Sequence, residues 1–364
     1  MSTDSLRRLL DSSGEILTWD RWDQVKHSER FVFVTTTLFV ALFSWVFVRS
    51  PVGDAIFGYH SLARTILIWS IFALGFNLLL GQTGLLSFGH AMFWGGAGYA
   101  AAWVAIYAHG DPILMLIGGV AFALILAFLT AFVLLRLHTV YFAIVTLAIA
   151  QMLFWFAREP FFFLTGGENG LSGISVEPLL GTINLRDPVP GIFGTLWVDY
   201  LYVFIAVLFV LVVMFITRVR KSPYGLIFKA IRENETRTTF VGLDVWRYKF
   251  AAYLLSGGVV GIAGALMTIE SQFVGIRRLY WQASGDVVVI TILGGLGTIA
   301  GPVIGAIVYL YFEGVVDGFA RIGSYWLLML AVAFTAVVWK YPSGFWGMIK
   351  EIGARIRGLS GDNA

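Results

Sequence analysis

The sequence has no cysteine among its 364 residues, and only 13% of them are charged, about half the share of an ordinary soluble domain. The first absence excludes disulfides, thiolate metal sites and a cysteine nucleophile together. The second excludes the pair of soluble domains that the length would otherwise permit, because 22 acids and 25 bases cannot coat two globular surfaces. Two further absences narrow the chemistry. The five histidines show no His-x-x-x-His spacing and form no recognisable Ser/His/Asp set, so neither a metal site nor a catalytic residue is expected. No Gly-Lys dipeptide occurs, hence no P-loop for a nucleotide.

What is present is apolar. Hydrophobic residues make up 58% of the chain and the mean hydropathy is +0.82. The 41 glycines and 13 tryptophans suit membrane helices, where Gly is commoner than in soluble ones and Trp gathers at the interfaces. The expected fold class is an all-α integral membrane protein, a polytopic bundle of about ten (eight to ten) transmembrane helices with Gly-broken segments. Residues 1–30 form a charged arm without the apolar run of a signal peptide, expected on the cytoplasmic side. Apolar stretches follow at Phe31–Val48, Thr65–Leu80, Leu85–Ala108, Pro112–Leu135, Val140–Ala157, Val198–Ile216 and Ala251–Thr268. A broken one runs over Val287–Phe312, and the last is Tyr325–Trp339.

The broken stretch sets the topology. Counted as one crossing, it puts the charged loop 217–249 and the tail on opposite faces. Counted as two, it puts them on the same face, and that side then holds 18 Lys/Arg against 7 on the other, as the positive-inside rule favours. The expected layout is a cytoplasmic arm 1–30, a transmembrane domain 31–345 and a cytoplasmic tail 346–364, in the cell inner membrane with both termini cytoplasmic.

Two polar, Gly-rich breaks interrupt the apolar runs. One is Gly81–His90, containing Gln82, Ser87 and His90; the other runs from Gly294, Gly295 and Gly297 to Gly305. Backbone freed from a helix cannot face lipid and must be buried in protein or line a wet cavity. Interrupted segments in the two halves of a chain point to a transporter's substrate site. Thr146 and Gln151, neutral polar residues within spans, join the candidates for the path, with interhelical hydrogen bonding as the alternative. Close packing is the alternative for single glycines, and Gly257, Gly261 and Ala265 form a small-xxx-small ridge. Carboxylates are missing from the spans, whereas a proton- or sodium-driven carrier keeps ionisable groups there. His90 alone is so placed, and a hydrogen-bonded packing role suits it as well. Energy is therefore expected from outside the bilayer; a stand-alone carrier or channel is the competing reading. In the outward loop 158–197, Thr165, Gly166, Gly167 and Asn169 form a turn that can expose backbone amides to an anionic or zwitterionic group, or be merely a tight turn.

Loop 217–249 carries eight bases and three acids. Ser222-Pro223 reads as an N-cap followed by proline at the first helical position, and a helix to about Phe240 is expected. Lys229–Glu233 and Glu233–Arg237 would pair one turn apart. Gly242 is placed for a left-handed cap, and Asp244 could cap the next helix. The mixture of Leu226, Ile227 and Ile231 with charges suits docking of a soluble partner.

This loop resembles the coupling loop of branched-chain amino acid ABC transporter permeases, LivM-type subunits, relatives of the urea and short-chain amide permeases. The likeness rests on Ser222-Pro223-Tyr224-Gly225, Ala230-Ile231-Arg232-Glu233-Asn234-Glu235, Gly242 and Arg247-Tyr248-Lys249. Gly84–Ala91, Tyr141–Leu147, Leu164–Gly167 with Asn169–Leu171, Gly294–Thr298 and Gly301–Ala306 agree in the same order, so the resemblance covers roughly residues 62 to 345. Thr236, Arg237, Thr238 and Thr239 stand where the general importer loop has an alanine pair. The resemblance implies an ABC importer permease fold, no cofactor, and no nucleic-acid partner. It also implies a second, LivH-type permease, two cytoplasmic ATP-binding subunits docking through Ala230, Ile231, Arg232, Glu233, Glu235 and Gly242, and a periplasmic substrate-binding protein. The substrate it implies is a branched-chain amino acid, with urea, amides or another small polar solute as the alternative.

Overall fold

The computed structural model describes residues 19–46, 60–137, 139–190, 199–317, 326–341 and 343–351. Residues 1–18 of the expected arm and 352–364 of the expected tail lie outside these described residues. Helices dominate: α1 Trp19–Ser44, α2 His60–Thr83, α3 Ala91–Tyr107, α4 Pro112–Leu134, α5 Thr139–Arg158, the short α6 Phe162–Thr165, α7 Tyr200–Lys221, α8 Pro223–Glu233, α9 Glu235–Phe240, α10 Val245–Ser271, α11 Trp281–Gly294, α12 Ala300–Asp317 and α13 Trp326–Lys340. Outside them the described residues hold two 3₁₀ turns, Gly167–Asn169 and Ile276–Leu279, and isolated bridges, among them Leu171 with Val274.

Among the described residues, five helices are long and apolar enough to cross a membrane: Ser61–Thr83, Pro112–Leu134, Val140–Arg158, Tyr200–Lys221 and Val245–Ser271. On α4 the burial is inverted relative to a soluble protein. Its inward face is Gly119, Ala123, Ala127 and Ala131, while Ile117, Ile125, Phe128, Leu129 and Val133 stand exposed. Large apolar side chains outside and small ones inside is the pattern of helices whose solvent is lipid. The chain is an all-α multi-pass membrane protein.

The expected small-residue ridge on α10 packs against α4. A Cβ on Gly261 would stand 2.6 Å from that of Ala123, one on Gly257 3.0 Å from Ala127, and one on Gly119 2.8 Å from Ala265. The steps of four along both helices run in opposite directions, so the two are antiparallel with their backbones nearly touching. Tyr253 and Thr130 continue the seam with a 3.1 Å hydroxyl pair. The most enclosed helix is α2, which α10 flanks; Ser256 of α10 donates to the Gly75 carbonyl at 2.7 Å.

The broken stretch Val287–Phe312 is a helical hairpin. Thr291 O accepts the amide of Gly295 at the end of α11, and α12 begins at Ala300. A Cβ on Gly294 would strike Gly301 O, and one on Gly305 would strike Ile290 O. Tyr309 donates to Asp286 at 2.8 Å. These pairs fix α11 and α12 as antiparallel neighbours, with residues 295–299 as the turn between them.

Two ends of the bundle are thereby defined. At one end Arg64 near the start of α2 pairs with Asp199 at 2.5 Å, just before α7, and with Glu270 at 3.3 Å, near the end of α10. At the other lie the C-termini of α2, α7 and α11, with α8 and the first turns of α10.

Several expectations need correction. The helix α1 starts at Trp19, inside the stretch assigned to the charged arm. The apolar run Leu85–Ala108 is helical only from Ala91. The single helix expected from Ser222 to Phe240 is two, α8 and α9. Asn234 leaves the helical region (φ −162°, ψ 104°) and its side chain accepts from Arg237 N at 2.9 Å, capping α9. An Asn that can satisfy an amide three residues ahead competes with helix continuation. Glu233 and Arg237 therefore no longer share a helix; Glu235 pairs with Lys249 at 2.6 Å and Asp244 with Arg247 at 2.8 Å. The Ser222 hydroxyl points backwards, donating to Val219 O at 2.6 Å rather than capping α8. Gly242 does adopt the left-handed region (φ +89°), and Asp244 accepts from Arg247 N at 3.4 Å.

Candidate functional site

The first break becomes a stretch of unwound backbone inside the bundle. After Thr83 the chain leaves the helix at Gly84, and residues 84–90 return through the interior before α3 begins. Polar side chains of the surrounding elements take up its amides: Phe88 N donates to Thr146 Oγ1 of α5 at 3.1 Å, Gly89 N to Ser87 Oγ at 3.2 Å, and Ala91 N to Ser284 Oγ of α11 at 2.8 Å. Irregular backbone at membrane depth survives only with such partners. His90 is fully buried. Its Nε2 meets Ser256 Oγ at 2.9 Å, and Phe76 and Phe93 lie edge-on to its ring.

The second break sits against the C-terminus of α2. Asn77, 2% exposed, clasps the hairpin turn with both ends of its amide: Oδ1 accepts from Gly297 N at 2.9 Å and Nδ2 donates to Thr298 O at 2.7 Å. Thr298 in turn accepts from Gly301 N at 2.9 Å and donates to Gly295 O at 2.9 Å, so the turn and the start of α12 form one hydrogen-bonded unit. A side chain at Gly297 (φ +73°) would meet Arg232 Nη1 at 3.2 Å and Gly81 O at 3.3 Å.

The basic segment closes on both breaks. Arg232 of α8 donates to Gly81 O at 2.5 Å, one of the carbonyls that a helix end leaves without an intrahelical partner. Arg220, in the last turn of α7, donates to Gly297 O at 2.7 Å. Ile231, Phe228 and Gly225 form the buried face of α8, while Leu226 and Tyr224 are exposed, as are Phe240 and Val241 beyond it. Ala230, Glu233, Asn234, Arg237, Thr238, Val241 and Leu243 line an open depression of about 490 Å³.

At the opposite end Gly166 and Gly167 are both left-handed (φ +73° and +57°). Thr165 Oγ1 donates to Ala157 O at 2.5 Å and accepts from Gly167 N at 3.2 Å. Asn169 lies in a 3₁₀ turn, Gly167–Asn169, and Arg158 pairs with Glu168. The turn is tied down by its own residues and by the Leu171–Val274 bridge.

The path residues expected from the sequence thus lie at three levels. Gln82, Gly294, Gly295 and Gly297 stand at the end that carries α8; Ser87, His90 and Thr146 lie in the interior; Thr165, Gly166, Gly167 and Asn169 lie at the far end. Among the described residues, Gln82 Oε1, His90 Nδ1 and Gln151 Nε2 are buried polar atoms without a hydrogen-bond partner, which leaves them capacity to bind a further polar group. No group of three His, Asp or Glu among the described residues could hold a metal ion. The sequence reading missed Asn77, Arg220, Ser256 and Ser284. Asn77 had a signal, a lone amide within the apolar run Thr65–Leu80, since such residues tend to be bonded across helices.

A multi-pass bundle with unwound backbone in its interior fits a membrane permease, and the comparisons agree. The family described as the permease component of branched-chain amino acid transport systems matches residues 58–338, and the chain belongs to it. It is similar to the high-affinity branched-chain amino acid transport system permease protein LivM of Escherichia coli strain K12 and to that of Salmonella typhimurium strain LT2. Each is 29% identical over 336 residues, which is 88% of this chain and 75% of the relative. It also resembles the probable branched-chain amino acid transport permease protein LivH of Methanocaldococcus jannaschii, 31% identical over 90 residues, 23% of this chain and 26% of that one. No solved structure matches the chain. The protein is a transport subunit of an ABC importer, not an enzyme.

Proposed function

We propose that this chain forms the inner-membrane translocation path of a branched-chain amino acid importer together with a second, LivH-type permease. Two cytoplasmic ATPases drive it through segment 217–249, and a periplasmic binding protein supplies the substrate. The chain crosses the membrane ten times, α11 and α12 counting separately, with the arm 1–30 and the tail 346–364 both cytoplasmic. The path runs past the unwound residues 84–90. Gln82, Ser87, His90, Thr146, Gln151 and the turn Thr165–Asn169 are its polar stations, and Gly294, Gly295 and Gly297 border its inner end. Ala230, Ile231, Arg232, Glu233, Glu235 and Gly242 carry the ATPase contact or hold it in shape. A ligand or nucleotide shifts such a carrier only through differential affinity for its inward- and outward-facing states.

The observation that carries this reading is the contact of the basic segment with both broken segments, through Arg232 to Gly81 O and Arg220 to Gly297 O. It is supported by the family's role as the permease component of branched-chain amino acid transport systems. The test is reconstitution into vesicles with the second permease, the ATPases and the binding protein. Uptake of labelled leucine should require ATP and every partner. Uptake by the purified chain alone would overturn the subunit reading, and competition by urea or acetamide but not by valine would overturn the substrate.

A further inference from the structure

Three polar side chains from three elements meet where the two breaks touch. Asn77 of α2 bonds both Gly297 N (2.9 Å) and Thr298 O (2.7 Å); Arg220 of α7 bonds Gly297 O (2.7 Å); Arg232 of α8 bonds Gly81 O (2.5 Å). The backbones are close as well: a Cβ on Gly81 would lie 2.9 Å from Gly297 N, and one on Gly84 3.2 Å from Arg232 Cγ. Both hydrogen-bonding groups of Gly297 are consequently held, one by α2 and one by α7. Arg232 presses on the exact point where α2 ends and the unwound segment begins.

From this we infer that Asn77, Arg220 and Arg232 are positioning residues that lock the α11–α12 turn to α8 and to the end of α2, so that a displacement of α8 carries both broken segments as one body. The inference rests on the reading of 217–249 as the ATPase contact. Without the lock, α8 would touch the interior only through its apolar face, Phe228 and Ile231, and apolar contacts can slide because they are not directional. The two arginines reach backbone carbonyls rather than carboxylates, so the contacts persist whichever side chains line the path. Burial leaves Asn77 no water to exchange into, and separating it from the turn would strand two N–H donors, Gly297 N and its own Nδ2, and two carbonyl acceptors, Thr298 O and its own Oδ1, at once.

The test uses the full importer in vesicles, with leucine as substrate, and reads the leucine taken up per ATP hydrolysed. Asn77→Leu and Arg232→Ala should each lower that ratio about tenfold, the scale of a lost charged or buried hydrogen bond. Arg232→Lys, which keeps a donor, should restore most of it. An unchanged ratio in both Asn77→Leu and Arg232→Ala would overturn the lock. Because Asn77→Leu could fail to assemble, a second measurement uses the unsubstituted lock. The chain has no cysteine, so Lys229→Cys and Leu296→Cys, both exposed positions, can carry the only pair of spin labels. Their separation should be the same in the nucleotide-free and ATP-trapped complexes. A change between the states would overturn the lock even if transport is normal. If the complex shows no ATP-dependent leucine uptake at all, the functional reading fails, while the label separation still reports on the lock.

Discussion

At the scale of single residues, the structure separates glycines needed for their backbone angle from those needed for space. Gly242 belongs to the first kind: its φ is +89°, and nothing lies within 4 Å of where a Cβ would stand. Only conformation resists substitution there, by about 1–2 kcal/mol for an L-residue and less for Asn. Gly242→Asn should therefore retain ATP-driven uptake, whereas Gly242→Val should reduce uptake per ATP several-fold, measured in the reconstituted importer with the amount of inserted protein held equal. Ser256 is a second informative position. Its hydroxyl is the link between His90 Nε2 and Gly75 O, and Ser256→Ala strips a partner from two fully buried groups. Gly75 O keeps its place in the helix ladder of α2, so the expected loss is about 1–3 kcal/mol for the unsatisfied His90 Nε2, seen as a lower thermal unfolding midpoint in detergent.

At the scale of elements, the seam between α4 and α10 depends on small residues facing small residues from Gly119 to Ala127, about two turns. Without a hydrophobic driving force between helices in lipid, the attraction comes from close packing. Gly261→Leu drives a side chain into Ala123, whose Cβ is already 2.6 Å from the position of a new Cβ. It should destabilise the protein by about 1–3 kcal/mol. Gly285→Ala is the control: its Cβ would meet only Trp281, at 3.9 Å, and the helix gains propensity, so the unfolding midpoint should hold or rise. Comparing the two midpoints in one detergent distinguishes packing from a general intolerance of glycine replacement. The break between α8 and α9 also belongs to this scale. It turns the exposed Phe240 and Val241 away from the line of α8, widening the apolar and charged surface beside the depression at Glu233 and Arg237.

For the whole molecule, ion pairs bind one end and the arginine–carbonyl contacts bind the other. Arg64, Asp199 and Glu270 join α2, α7 and α10 at the first end, and the junction of Asn77, Arg220 and Arg232 joins α2, α7, α8 and the hairpin at the second. These two clusters share α2 and α7, which run from one end of the bundle to the other. The absence of native thiols gives a direct check of orientation. Lys229→Cys should react with a membrane-impermeant maleimide only from the cytoplasmic side, and Thr182→Cys only from outside. Labelling of both from the same side would overturn the ten-crossing arrangement.

The sequence alone determined the class of environment, the helical character, the approximate helix positions and the importance of the two glycine-rich breaks. These follow from composition and local pattern, because lipid demands apolar faces and a helix demands that its broken ends be satisfied. Gly242 and the cap at Asp244 were legible for the same local reason. The end of α8 was not: Asn234 could continue a helix or cap the next, and only the pairing of Glu235 with Lys249 and the burial of Thr238 accompany the second choice. The count of basic residues on each face already favoured two crossings for Val287–Phe312; the tertiary structure alone decided that its turn is held by Asn77, 220 residues earlier in the chain. It also decided that the arginines of the basic segment reach the carbonyls of both breaks. Periodicity records which face of a helix is apolar, but hydrogen bonds between residues far apart in the chain leave no local pattern. Which glycine meets which helix is settled only when the small faces come together.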